Sequence, residues 1–139
     1  MSGTEFFDSN LLCYTDDADD PGRRQRALEL WKSSRQSEQA VISVQVLQEY
    51  YAVVTRKMGV EPVIAIEKLK LFQRAQVMVP DGDDVIDAAR LGNEQKLSFW
   101  DAMIVTMAMK ADCARLYSED LQHGRRFAGL EIINPFADA

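Results

Sequence analysis

Short apolar runs alternate with longer segments of helical periodicity along the whole chain, and that alternation limits the fold more than any other feature. Glu5-Phe6-Phe7 is a brief apolar run giving way to Asp8-Ser9-Asn10, residue types suited to turns and caps, so it predicts a strand entering a loop. Asp16 to Gly22 continues as an acidic loop. Between Arg23 and about Ser37, the apolar residues Ala27, Leu30 and Trp31 recur at helical spacing, with Arg23, Arg24 and Arg26 on the polar side. Ala40-Val41-Ile42 predicts a buried strand. Ser43 is a good N-cap for the next helix, whose apolar face is marked by Leu47, Tyr51, Val54 and Met58 and which Gly59 stops. Pro62 suits a helix start and opens a third amphipathic segment to about Arg74. Gln76-Val77-Met78-Val79 then predicts a strand ending at Pro80, and Asp81-Gly82-Asp83-Asp84 caps a fourth helix to about Gln95. Ser98-Phe99-Trp100-Asp101 has capping-box spacing and opens a fifth helix through Met109. Arg115-Leu116-Tyr117 and Glu131-Ile132-Ile133 are the remaining strands, with Gly124 turning the chain between them.

Strands separated by helices require right-handed crossovers, which cover a parallel sheet on both faces. The expected fold class is therefore α/β, a three-layer α/β/α arrangement around a central parallel sheet of about five strands, in a single domain over residues 1–139. With 47% hydrophobic and 27% charged residues, the 139-residue chain has ordinary globular usage and enough apolar side chain for one core. Nothing in it resembles a secretory or membrane-spanning segment, so a soluble, cytoplasmic protein is expected. Two cysteines, Cys13 and Cys113, are too few for a disulfide scaffold, and no Cys/His spacing marks a zinc site.

Sites in parallel sheets form at the carboxyl ends of strands, and Asp8 and Asp120 both follow predicted strands closely. Each acid also has a plainer explanation. Asp8 suits a turn, Glu49 lies off the apolar stripe of its helix, and Asp101 sits where a carboxylate stabilises a helix start by about 0.3–1 kcal/mol. The lone His123 reads as a polar loop residue. The net charge of −6 speaks against a nucleic-acid partner held by Lys and Arg alone.

The contexts of these acids, taken in order, carry more. Phe6-Phe7-Asp8-Ser9-Asn10, the segment from Ser43 through Glu49-Tyr50 to Arg56, Leu97-Ser98-Phe99-Trp100-Asp101-Ala102 and Leu116-Tyr117-Ser118-Glu119-Asp120-Leu121 resemble the successive signatures of PIN domains. Their order and spacing are similar to the toxin branch of that family, the VapC-type proteins. Ile133-Asn134-Pro135-Phe136 is similar too, so the resemblance runs from Glu5 to Phe136. It implies that the first strand adjoins the one before Ser118, bringing Asp8 and Asp120 together, with Glu49 and Asp101 joining from helices. It also implies Mg²⁺ or Mn²⁺ on Asp8, Glu49, Asp101 and Asp120, with Ser118 at the family's hydroxyl position and Asn10 as polar partner of the first acid. Glu119 matches a position where an acid varies. The activity implied is endoribonucleolytic, on an RNA substrate and leaving a 5′-phosphate. The implied partners are a cognate antitoxin that covers the site and a second copy in a homodimer.

The chemistry is intelligible without the family. Four carboxylates in one pocket raise one another's proton affinity, and an all-oxygen anionic pocket suits Mg²⁺ or Mn²⁺. A bound cation reverses the local field, which answers the objection from net charge. Arg23, Arg24, Arg26, Arg56-Lys57, Arg125 and Arg126 remain as candidate phosphate contacts, with solvated surface as the alternative for each. Val63, Ile64, Ile66, Leu69, Leu71 and Phe72 exceed what one helix face buries, a surplus that suits either an interaction surface or a fully packed helix. A haloacid-dehalogenase type phosphatase would need an acid where Asn10 stands, and a receiver domain would need a Lys near the last strand. A PIN-like scaffold that binds RNA or protein without catalysis is the further alternative.

Overall fold

The computed structural model describes residues 3–137. Its strands are β1 (Glu5–Phe7), β2 (Ala40–Ser43), β3 (Gln76–Met78), β4 (Arg115–Tyr117), β5 (Arg126–Phe127) and β6 (Leu130–Ile133). The helices are α1 (Ser9–Tyr14), α2 (Pro21–Gln36), α3 (Val44–Arg56), α4 (Pro62–Phe72), α5 (Gly82–Gln95) and α6 (Phe99–Lys110). Together the strands form one six-stranded sheet in the order β3-β2-β1-β4-β6-β5, parallel except for the antiparallel β5–β6 pair. The expected α/β class with its parallel sheet is present, with a sixth strand added at one edge. The addition is the two-residue β5, too short to leave a periodic trace in sequence.

Crossovers lead from β1 to β2 and on to β3 in one direction, and the next returns past β1 to β4. Right-handed connections that reverse direction place their helices on opposite faces of the sheet. Accordingly α2 packs on α1, α1 on α3 and α3 on α4, while α5 packs on α6. The strand residues Phe6, Phe7, Val41, Ile42, Leu116 and Ile132 are buried, as strands covered on both faces must be. Arg115 on β4 lies opposite Glu5 on β1, and its guanidinium stands 2.9 Å from Glu5 Oε2, which also accepts the Tyr117 hydroxyl at 2.8 Å.

Several local expectations change. Ser9-Asn10 is not a loop: Asp8 Oδ1 accepts the Ser9 amide at 2.7 Å and caps the short helix α1. On α3 the fully buried face runs through Val46, Tyr50 and Val54, so Tyr50 takes the place expected of Tyr51. The Tyr50 hydroxyl donates to Asp16, and its ring meets Phe72 edge to face with centroids 4.9 Å apart. Ser43 precedes α3 without making a side-chain cap bond. The reciprocal capping box belongs to α5, where Asp81 Oδ1 accepts the Asp84 amide and Asp84 Oδ2 accepts the Asp81 amide, each at 2.9 Å. Pro62 does begin α4. Cys13 and Cys113 are free and buried, and burial pushes the Cys13 thiol up to about 12. No helix among the described residues is long and apolar enough to cross a membrane.

Candidate active site

Where crossovers leave neighbouring strands in opposite directions, a crevice opens at the carboxyl ends. In this sheet that point lies between β1 and β4. Asp8 is the first residue after β1, and Ser118 the first after β4. Both are buried, Asp8 at 3% exposure and Ser118 at 0%. The Ser118 hydroxyl donates to Asp8 Oδ2 at 2.7 Å and accepts the Asp120 amide at 3.2 Å, so one side chain fixes the positions of two acids.

Asp8 is a carboxyl held where a charge is costly. The hydrogen bonds from Ser118 and the Ser9 amide favour its ionised form, but burial outweighs both, and the charges of Asp120 and Glu49 add to it. Its pKa rises from 3.8 to about 7. Glu49 reaches the same crevice from α3: Oε1 accepts the Ser9 hydroxyl at 2.9 Å, and Oε2 accepts Gln45 Nε2 at 3.1 Å. Gln45 stands one turn before Glu49, on the same side of the helix. Its Nε2 also donates to the Trp100 carbonyl at 3.1 Å, tying α3 to the first turn of α6.

Asp101 occupies that first turn, with its amide bonded to Ser98 Oγ at 3.1 Å. A carboxylate beside a helix start should be easier to ionise. Burial and then the charge of Asp120 act the other way, outweigh the Ser98 hydrogen bond and raise its pKa. Asp120 links the set, since its charge acts on both Asp8 and Asp101. The structure thus links Asp8, Ser118 and Asp120 by hydrogen bonds and places Glu49 within electrostatic reach of Asp8 and Asp101 within reach of Asp120.

Neighbouring polar residues line the approach. Asn10 Oδ1 accepts the Glu119 amide at 3.3 Å, while Asn10 Nδ2 is buried without a partner. Glu119 accepts the Tyr14 hydroxyl at 2.7 Å and lies 3.4 Å from Arg23 Nε, so it is committed to holding α1 and α2. Arg23 also pairs with Asp20 at 2.9 Å, and Arg24 Nε donates to the Thr15 carbonyl at 3.2 Å. Arg125 bonds Gln95 and stacks on Phe127, Arg126 pairs with Glu131 at 3.4 Å, and His123 Nδ1 accepts the Asn134 amide at 2.9 Å. Of the basic side chains singled out in the sequence, Arg23, Arg24, Arg125 and Arg126 are engaged within the protein, while Arg26, Arg56 and Lys57 are exposed. Sequence reasoning missed Ser9 and Gln45, although the i, i+4 spacing of Gln45 and Glu49 was a legible signal.

Among the described residues, no group of three or more Asp, Glu, His or Cys side chains is drawn together closely enough to hold a metal ion. Mg²⁺ keeps several of its waters and binds through one or two carboxylates, so the oxygen-only donors Asp8, Glu49, Asp101 and Asp120 suit it by their chemistry. Burial is the first cause of the raised proton affinities of Asp8 and Asp101, and the charges of neighbouring acids, which a cation would offset, add to it.

This fold and crevice define a class. The profile of the PIN domain family matches residues 6–128, and the chain belongs to that family. Among solved structures it is similar to Mycobacterium tuberculosis VapC20, described as a Sarcin-Ricin loop cleaving toxin, with a TM-score of 0.68 and 23% identity over 83% of this chain and 88% of that one. That likeness is one of fold. No curated protein matches the sequence.

Proposed function

We propose that this protein is a metal-dependent endoribonuclease, the toxin of a type II toxin–antitoxin pair, acting in the cytoplasm as a single PIN domain over residues 1–139. The observation that carries the reading is Asp8, a buried carboxyl at the β1–β4 crevice with Asp120 and Glu49 close enough to raise its pKa. Family membership and the fold of a toxin that cleaves RNA support it.

Asp8, Asp101, Asp120 and Glu49 would hold Mg²⁺ or Mn²⁺. When bound, such a cation supplies positive charge at the attacked phosphate and acidifies water. The protein's own part is orientation. Ser118 holds one Asp8 oxygen and the Asp120 backbone, which leaves the Asp120 side chain at the crevice. Ser9 and Gln45 fix both oxygens of Glu49, and Ser98 sets the first turn that presents Asp101. Holding these groups in place before substrate arrives avoids reorganisation during reaction, the main contribution a small nuclease can make. A cognate antitoxin would quench the same cluster by placing an Arg guanidinium against Asp8, Asp101 and Asp120, since a planar cation pairs with carboxylates in two-point fashion.

Purified protein freed of any partner is expected to cut structured RNA with Mg²⁺ or Mn²⁺ and to stop in excess chelator. Asp101→Asn is expected to abolish cutting, lose stabilisation by Mn²⁺ in thermal melts, and leave the metal-free fold no less stable. Retained cutting with an unchanged Mn²⁺ shift would remove Asp101 from the site. Equal hydrolysis of a small phosphomonoester would favour a phosphatase instead.

A further inference from the structure

Phe99 and Trp100 share a helical turn with Asp101, yet both stay outside the core, 36% and 61% exposed. Aromatics of this size are usually covered for most of their surface. Their rings meet edge to face, with centroids 5.0 Å apart at 74°. They wall a groove of about 490 Å³ whose other sides include Gln45, Gln48, Val79 and Val85. None of the residues lining it carries a formal charge. Gln45 joins the groove to the acid cluster, because its amide holds both Glu49 and the Trp100 carbonyl.

We propose that this groove seats an unpaired nucleobase of the RNA, beside the phosphate presented to the acids, stacked on Trp100 with its edge toward the Gln48 amide. The proposal rests on the ribonuclease reading and adds to it a place where sequence or loop structure is sensed. An uncharged groove offers nothing to a phosphate, which would be drawn instead to cations at the acid cluster. A neutral, flat base suits it, since stacking needs only an aromatic face, and a glutamine amide offers a donor and an acceptor to a base edge. Gln48 is exposed and its side chain has no hydrogen-bond partner among the described residues, so it is free to serve in this way. Position supplies the second argument. Gln45 lines the groove and its amide bonds Glu49, so a strand whose phosphate meets the acid cluster can carry a flanking base to Trp100.

The test combines cleavage with binding. RNA oligonucleotides lacking a single base at successive positions around the cut are compared on wild-type, Trp100→Ala and Trp100→Phe proteins, with thermal melts as the check on folding. Stacking on one aromatic corresponds to about 5- to 150-fold in affinity. The expected result is that Trp100→Ala raises KM by that order with kcat little changed, and that Trp100→Phe recovers most of the loss. One abasic position should reproduce the loss in the wild type and add nothing in Trp100→Ala, the non-additivity expected of groups in contact. Unchanged KM in Trp100→Ala overturns the proposal, as does an equal penalty at every abasic position in both proteins. A Trp100→Ala protein that cuts normally but changes its oligomeric state, or loses an antitoxin, assigns the groove to a protein partner and also overturns it. If the wild type cuts no RNA with either metal, the ribonuclease reading fails on its own. Tryptophan quenching in chelator then decides the groove: quenching by an oligonucleotide but not by its abasic counterpart supports a base seat, and no quenching by either removes it.

Discussion

Asp8 makes the protein's stability depend on pH in an unusual direction. Its pKa is about 7 when folded and near the ordinary 3.8 when the chain is unfolded, so between these values the folded protein binds more protons than the unfolded one. Stability therefore falls as pH rises through that window, with the full penalty present above about 7. Three pKa units correspond to at most about 4 kcal/mol, an upper limit for one buried group. Asp101, also raised, acts in the same direction. Asp8→Asn is expected to gain in melting temperature over the wild type as pH increases from about 4 to 8 without divalent metal. Saturating Mn²⁺ should shrink that gap by stabilising only the wild type. A gap that stays constant with pH would mean that Asp8 ionises at its ordinary value.

At the scale of elements, the acids at strand ends were legible because a parallel sheet directs its crevice to that end, and Asp8 and Asp120 stand beside the two strands that meet there. Glu49 and Asp101 were legible through the family resemblance rather than through periodicity. The buried face of α3 was misread because Val46, Leu47, Tyr50, Tyr51, Val53 and Val54 make an apolar side broader than the part that is fully buried, and the contacts that choose within it, such as Tyr50 with Asp16 and Phe72, are distant in sequence. Helix α1 escaped notice because six residues are too few to show a period, and the same side chains that favour a turn also cap a helix. Gln45 matters at this scale as the bond between α3 and α6. Gln45→Ala is expected to cost about 1–2 kcal/mol, since two hydrogen bonds go and the Glu49 carboxylate loses a partner. If Gln45 positions Glu49, the variant should lose kcat well beyond what its lowered melting temperature explains. A proportionate loss would make Gln45 a structural tie alone.

For the molecule as a whole, α4 presents Val63, Ile64, Ile66 and Leu71 to solvent while Ala65 and Phe72 face the core. The surplus noted in the sequence is thus a bare apolar surface in the isolated chain, and the homodimer that the resemblance implies would cover it. Ile64→Glu is expected to leave the melting temperature nearly unchanged and to convert a dimer into a monomer in sedimentation. A wild type that already sediments as a monomer would refute this.

The order of strands bears on how such a protein is made. β1 lies at the centre of the sheet, between β2 and β4, and its pairing with β4 joins Glu5 to Arg115. A chain emerging from the ribosome can build the contacts of α1 to α4 early, but Asp8 has no Ser118 to hold it and no Asp120 beside it until most of the polypeptide has appeared. A truncated product would carry Asp8 and Glu49 without the rest of the cluster. For a polypeptide whose proposed activity destroys RNA, the topology withholds the full acid cluster from every copy that ends before Asp120.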